Sequence, residues 1–182
     1  MKKVVALVLA LILVLTCFPL SVSAASYKGD GSEESPYLIS TKKELNSVKK
    51  DLSACYRLTT DIVFTEADFK SGGAFYNGGS KFEPIGNSDD PFMGTFDGNG
   101  HVIQGLQIYA DSYSEDAVGL FGYISRAEIY NLTIKSPKII AKSDVDQSNS
   151  TISSGRLNTG SDCGAVAGHA SSSTISNCKV IS

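Results

Sequence analysis

The stretch PFMGTFDGNGHVIQGLQIYADSYSEDAVGLFGYISRAEIYNLTI, residues 91–134, carries the features that decide the fold. It contains the apolar motif Ile-x-x-Leu-x-Ile twice, at 103–108 and at 129–134. Between the two copies stand Gly119, Leu120, Phe121 and Gly122. Short apolar runs of one design, separated by Gly and Asn, are typical of strands that recur in a repeat architecture.

The same pattern returns 46 residues later, because residues 117–136 align without a gap with residues 163–182. Identical or equivalent positions include the pairs Gly122 and Gly168, Ile129 and Ile175, Asn131 and Asn177, Leu132 and Cys178, and Ile134 and Val180. A weaker match at a step of 26 residues places 103–108 over 129–134. A step of 26 residues suits one coil of a β-helix with three short strands and their turns.

The longer step of 46 residues has two interpretations. One coil can be enlarged by a surface loop at about 142–162, where Ser, Asn and Asp dominate. Alternatively, two coils of 23 residues fit, with Ile152 in the missing middle copy. No Gly-x-x-Gly precedes Ile152 at the right distance, which favours the loop.

Alternation along each strand places Leu106 and Ile108, or Leu132 and Ile134, on one side, which becomes a narrow interior. The recurrence of Asn131 and Asn177 at one position indicates side-chain amides that bond from coil to coil. The sequence therefore predicts an all-β fold of the β-helix (solenoid) type. The alternative is a β-sandwich with two similar hairpins.

Residues 1–25 have the pattern of an export signal. Lys2 and Lys3 precede the apolar run 4–15, and cleavage after Ala24 or Ala25 satisfies the preference for small residues. The competing interpretation is a lipoprotein signal with Cys17 as the lipidated residue, but Thr16 precedes it where Gly, Ala or Ser is expected. One β-helix domain is expected over 26–182.

A short amphipathic helix is predicted at about 41–52. Thr41 and Glu44 form a capping-box pair, and apolar residues follow at helical spacing. This helix is expected to cap the first coil, followed by a first strand at 56–64 and a long loop at 66–81. No such cap follows the last copy, so the domain is expected to be truncated there, with more coils or another domain in the parent protein.

Several motifs together resemble secreted bacterial proteins that carry the GLUG repeat. They are PYLIS-T-x-x-E-L, Y-R-L-T-T-D-I, P-I-G-N, P-F-x-G-T-F-D-G-N-G-H-x-I-x-G-L and G-L-F-G-Y-I, spread over about 29–182. The resemblance implies a right-handed parallel β-helix in a surface or adhesin-like protein. Similar segments occur beside the catalytic domain of immunoglobulin-A-cleaving metallopeptidases, and no catalytic residues carry over. The second Gly-x-x-Gly copy departs from the pattern as Ala165-Val166-Ala167-Gly168.

Residues capable of catalysis or metal binding are sparse. The two histidines, His101 and His169, do not lie in His-Glu-x-x-His, so zinc-peptidase chemistry is not encoded. Calcium candidates are Asp89, Asp90, Asp97 and Asn99, although Asp-Gly-Asn-Gly is also what a tight turn requires. The turn interpretation is favoured, and no cofactor is expected.

Three cysteines follow the signal. Cys178 occupies an inward position in the alignment, which predicts a small buried thiol. A bridge between Cys163 and Cys178 is a second possibility, and the odd number leaves at least one free thiol, with Cys55 as the remaining residue.

Composition narrows the function classes. Removal of Lys2 and Lys3 with the signal leaves 14 basic and 19 acidic residues, a net charge near −5, which does not suit nucleic acid. The prediction is a non-enzymatic adhesion, ligand-binding or structural module, secreted or on the cell surface, that binds an unidentified host protein or glycan. Membrane contact is expected only through the signal or a downstream anchor. The alternative is a fragment of a β-helical polysaccharide lyase or glycoside hydrolase.

Overall fold

A computed structural model of the chain describes residues 28–76, 82–110, 119–141 and 164–182. The predicted signal at 1–25, with Cys17, lies outside these residues. So do the predicted loop at 142–162, Ile152 and Cys163.

Helix α1, Lys42–Ser47, forms where the capping pair predicts it. The Thr41 hydroxyl oxygen accepts the backbone N–H of Glu44 over 3.2 Å, and Glu44 Oε2 accepts the backbone N–H of Thr41 over 2.9 Å. A 3₁₀ turn at Val48–Lys50 follows, so the helical segment is shorter than the predicted 41–52. The buried residues of these two turns are Leu45, Ser47 and Val48.

The rest of the described residues form mostly short strands. They are β1 Tyr37–Ile39, β2 Cys55–Leu58, β3 Ile62–Val63, β4 Thr95–Asp97, β5 Val102–Gln104, β6 Gln107–Ala110, β7 Phe121–Ser125, β8 Glu128–Tyr130, β9 Thr133–Lys135, β10 Lys138–Ala141, β11 Ala167–Ser171, β12 Thr174–Ser176 and β13 Lys179–Ile181. A 3₁₀ helix, Glu66–Phe69, stands within the segment 66–81 that the sequence predicts to be a loop.

The named strands pair in parallel and form four sheets. Their orders are β1-β2-β4-β8-β12, β3-β5-β9-β13, β6-β10 and β7-β11. The pass of the chain from β4 to β7 is followed by a pass from β8 to β11, and each strand pairs with its counterpart in the previous pass. This topology is all-β and parallel. The hairpins of the β-sandwich alternative require antiparallel pairing between strands, and no two of these strands pair in that way. The isolated bridge between Lys28 and Leu38 of β1 is antiparallel.

The predicted first strand at 56–64 is wrong in two respects. Strand β1 precedes it and pairs with β2, Tyr37 opposite Tyr56. The chain also bends after Leu58, so this segment supplies both β2 and β3, which belong to different sheets. Leu58 and Ile62 are both buried, so residues on either side of the bend point into the core and the alternating pattern looks uninterrupted. Alternation alone therefore could not reveal the corner.

The 46-residue repeat is confirmed by the pairing, since Ile129 lies opposite Ile175 in adjacent strands. No further pass separates them, so the alternative of two 23-residue coils is wrong. The 26-residue step is also wrong, because Ile103 pairs with Ile134, and Ile129 pairs with Phe96. An Ile-x₄-Ile spacing occurs at 103–108, 129–134 and 134–139. The segment 103–108 can therefore be aligned with 129–134 or with 134–139, and the spacing alone does not show which alignment is correct.

Corners between strands use residues with positive φ. Asn131 at 55°, Asn177 at 49° and Gly105 at 69° fit the expectation that Asn and Gly occupy bends. Other corners carry Arg126 at 54° and Ser136 at 47°. The sequence did not mark these two positions, because Arg and Ser have no general preference for this conformation.

The core runs between the sheets as stacked rows of apolar side chains. Tyr56, Phe96, Ile129 and Ile175 are register neighbours, and all are buried. The inward positions predicted from alternation, Leu106, Ile108, Leu132 and Ile134, have no exposed surface. Burial of such rows is the main favourable contribution to stability.

Candidate functional site

The four calcium candidates divide between two turns. Asp89 and Asp90 are exposed, and their backbone N–H groups donate to Asn87 Oδ1 over 2.9 and 2.8 Å. Asp97 lies in the second turn, where its Oδ1 accepts the backbone N–H of Asn99 over 2.8 Å. Within the described ranges, no three His, Cys, Asp or Glu residues are grouped to hold a metal ion. The geometry fits the turn interpretation of these residues.

Asp97 belongs to a polar ladder that also contains Arg57, Asn131 and Asn177. Arg57 Nε donates to Asp97 Oδ2 over 2.9 Å, and Asn131 Nδ2 donates to Asp97 Oδ1 over 3.3 Å. Asn177 Nδ2 donates to Asn131 Oδ1 over 2.7 Å, the amide contact expected from the recurrence. Both carboxylate oxygens of Asp97 are therefore occupied, and the ladder holds successive passes in register.

The Gly-Leu-Phe-Gly segment has a packing role. Leu120 and Phe121 are fully buried. A Cβ atom on Gly119 would lie 3.0 Å from the backbone nitrogen of Gly168, so the two passes approach too closely there for a larger residue. Gly122 donates its backbone N–H to the preceding pass. These positions shape the core rather than a surface site.

The two histidines, His101 and His169, are both half-buried. His101 precedes β5, and its Nδ1 lies 3.1 Å from Asp61 Oδ1, which also accepts the backbone N–H of Val102 over 3.0 Å. The Val102 and His101 contacts lower the pKa of Asp61 below its usual value. His169 lies opposite Tyr123 in register, with 5.1 Å between ring centroids.

The described cysteines, Cys55 and Cys178, carry free thiols. Cys178 packs against the core, and its Sγ lies 3.4 Å from the carbonyl oxygen of Ser176. Burial raises the pKa of the Cys178 thiol, so it stays protonated at neutral pH and is a poor nucleophile. The possible partner Cys163 lies outside the described residues.

A groove of about 580 Å³ opens between α1, β3 and the segment that follows β3, and we call it the helix groove. Residues that line it include Lys42, Lys43, Asn46, Asp61, Asp68 and Phe75. Its volume falls within the range of about 300–1,000 Å³ that is common for small-ligand pockets. The helix groove is therefore a concave feature of the described residues that is large enough for a small ligand.

Two of the charges in the helix groove neutralise each other. Lys42 Nζ donates to both carboxylate oxygens of Asp68 over 2.8 and 2.7 Å, and it stands 5.7 Å from the centre of the Phe64 ring. Burial raises the pKa of Asp68, but hydrogen bonds from Lys42 and Thr65 outweigh this and bring its pKa below the usual value. Asp68 is therefore ionised at neutral pH, like Asp61.

Other groups in the helix groove are free to meet a ligand. The side chains of Lys43 and Asn46 make no hydrogen bond or ion pair with the described part of the chain. Phe75 is half-buried, and its ring packs at 5.2 Å from Phe64, 6.1 Å from Phe69 and 6.1 Å from Phe82. The Phe75 ring is thus held in place at the wall of the groove.

Sequence reasoning missed the helix groove because its walls come from three separate segments, 40–46, 61–63 and 68–75. The sequence predicts a simple loop at 66–81. A usable signal was present in Phe64, Phe69, Phe75 and Phe82, since so many closely spaced phenylalanines are unusual in a solvated loop.

Comparison with known proteins gives two relatives. The chain is 37% identical over 152 residues to halomucin of Haloquadratum walsbyi, a match that covers 80% of this chain and 2% of halomucin. It is 35% identical over 99 residues to a protein of Evansella cellulosilytica described as a Gly-rich membrane protein, covering 53% of this chain and 10% of that protein. No family model matches the chain, and no solved structure matches it significantly. None of the described helices has the length and hydrophobicity needed to cross a bilayer.

Proposed function

We propose that this chain is a non-catalytic module of a secreted or cell-surface bacterial protein, with a ligand-binding, adhesive or structural role. The observation that carries the proposal is the pair of matches, in which most or half of this chain corresponds to 2% of halomucin and 10% of a membrane protein. A segment that recurs inside much longer proteins behaves as a module. The export pattern at 1–25 agrees with a position outside the cytoplasm.

The finer fold proposal is a right-handed parallel β-helix with α1 as its N-terminal cap. Support comes from the fixed order in which the chain visits its parallel sheets and from positive-φ residues at equivalent corners, Arg126 with Ser172 and Asn131 with Asn177. The GLUG-repeat relationship remains a proposal that rests on the motifs, above all Phe92–Leu106. Repeats of this type present long lateral faces on which ligands bind.

The alternative of a polysaccharide lyase or glycoside hydrolase has one specific observation in its favour, since Asp61 and Asp68 both line the helix groove. A glycosidase needs one carboxyl group with a raised pKa to act as general acid. Both of these pKa values are lowered, which favours binding over hydrolysis. Release of reducing ends or unsaturated products from polysaccharides, abolished by Asp61→Asn or Asp68→Asn, would instead support the enzyme.

Surface exposure is the direct test of the proposed function. Antibodies against the chain should label intact cells of the source bacterium, or detect the protein in the medium, and brief protease treatment of intact cells should remove the label. A cytoplasmic protein probed in parallel should stay protected from the protease. Antigen found only in the cytoplasmic fraction would show that the proposal is wrong.

A further inference from the structure

We propose that the helix groove binds a neutral, hydroxyl-rich saccharide. The inference rests on the proposed function of a surface module and names the ligand class for one site on it. Three features lead to this class: the balance of charge in the groove, the free hydrogen-bonding groups, and the fixed aromatic wall.

The balance of charge argues against a strongly charged ligand. Lys42 is neutralised by two hydrogen bonds to Asp68, and Asp61 offsets the remaining cation, Lys43. The first turn of α1 offers little to an anion, because Glu44 Oε2 already accepts the backbone N–H groups of Ser40 and Thr41 over 2.8 and 2.9 Å. A carboxylate or phosphate in the groove would find the Lys42 ammonium already paired with Asp68 and would be repelled by Asp61.

The free groups match hydroxyls, which both donate and accept hydrogen bonds. Lys43 offers donors, and the Asn46 amide offers both a donor and an acceptor. Asp61 uses Oδ1 for its contacts with Val102 and His101, which leaves Oδ2 as a charged acceptor. Donors and acceptors of this kind in one groove suit a polyol better than an apolar ligand.

The aromatic wall supplies the apolar contact that a sugar ring also needs. A pyranose has one face lined by C–H groups, and these pack on flat aromatic rings. Phe75 is held by Phe64, Phe69 and Phe82, so little side-chain freedom is lost when a ligand covers its remaining exposed face. The ring lines the same groove as Lys43 and Asn46.

Immobilised neutral cello-, malto-, xylo- and manno-oligosaccharides, with matched uronic-acid oligomers, provide the test on the full chain. At least one neutral series should bind in preference to the uronic acids. Asn46→Ala and Lys43→Ala should each weaken that binding roughly tenfold, as expected for loss of about 1.4 kcal/mol of hydrogen bonding. Phe75→Leu, which keeps an apolar side chain but removes the flat ring, should weaken it similarly.

The matched control is Lys50→Ala, which removes an exposed lysine from the 3₁₀ turn that does not line the groove. Its binding should equal that of the unsubstituted protein, and melting temperatures should show that all four variants fold. Absence of binding to every neutral series, preference for the uronic acids, or equal binding by the groove variants would overturn the inference. If the protein is found on the cell surface but binds no saccharide, only this inference is wrong. If the protein is found only in the cytoplasmic fraction, the proposed function itself is wrong.

Discussion

Single residues at the corners decide whether neighbouring passes can stack. Asn131 combines a positive φ of 55° with two ladder contacts, one to Asp97 and one to Asn177. Gly98 serves the same purpose by its small size, since a Cβ there would lie 2.5 Å from the Cα of Leu132. A short amide side chain and a glycine thus allow close approach of backbones that larger residues would separate.

Two substitutions of Asn131 distinguish the stability contributed by its side-chain hydrogen bonds from the stability contributed by its positive-φ backbone conformation. Asn131→Gly removes both amide contacts but keeps an easy positive φ, and we expect a loss of about 1–2 kcal/mol in unfolding free energy. Asn131→Ala adds strain in the left-handed region and should cost about 2–4 kcal/mol. Chemical denaturation measures both. Glycine normally destabilises regular structure more than alanine does. If the Gly variant were less stable than the Ala variant, the positive φ of residue 131 would not matter for stability and this explanation would be wrong.

Among the elements, α1 is stabilised by tertiary contacts, including one with the segment that follows β3, rather than by its own backbone hydrogen bonds. It has only six residues, too few for stability in isolation. Its buried Leu45 packs into the core, and Lys42 reaches Asp68 in the 3₁₀ helix Glu66–Phe69. The second capping box, at Thr65 and Asp68, uses the same carboxylate, so one side chain organises both short helices.

This shared carboxylate predicts an acid-sensitive stability. The pKa of Asp68 is lowered in the folded chain from an ordinary value of 3.8, so the unfolded state binds the proton first. Its stabilisation is present above about pH 4 to 5 and is lost as pH falls through the lower folded pKa. Asp68→Asn should reduce stability at pH 7 and make the decline in unfolding free energy between about pH 5 and 2 shallower.

Thermal unfolding across this pH range provides the measurement for Asp68. Glu34→Gln, which removes an exposed carboxylate that lies outside α1 and outside the 3₁₀ helix Glu66–Phe69, is the control and should match the unsubstituted protein at pH 7. An Asp68→Asn protein with the same acid slope as the unsubstituted chain would mean that the Lys42–Asp68 pair does not link the helices energetically.

At the scale of the whole molecule, stability should follow the stacking of passes. Strands β4, β5, β8 and β9 pair on both sides, whereas β1 and β13 have one paired neighbour among the described strands. In parallel repeats each pass contacts only the passes beside it, so pairing on two sides protects the middle most.

Amide hydrogen exchange should report this gradient. Backbone amides in β4, β5, β8 and β9 should exchange about tenfold or more slowly than those in β1 and β13, because opening them breaks contacts on two sides. Mass spectrometry of peptides from each strand gives the comparison. Equal exchange throughout, or faster exchange in β8 and β9, would show a single cooperative unit or a different core.

Features that arise within one pass of the chain can be predicted from residue order. Alternation identified the buried residues Leu132 and Ile134, the capping pair located α1, and the gapless alignment gave the 46-residue step. Recurrence of Asn131 and Asn177 was enough to predict their contact. These features depend on short-range chemistry and on direct internal similarity, both of which are visible in residue order.

The pairing of corners in neighbouring passes, in contrast, depends on tertiary packing. The Ile-x₄-Ile spacing repeats at successive corners, so sequence alone paired Ile103 with Ile129, whereas the parallel pairing of β5 with β9 places Ile103 opposite Ile134. The positive φ of Arg126 is likewise imposed by the strands on either side. The helix groove exists because three distant segments meet at α1, and no local pattern encodes such a meeting.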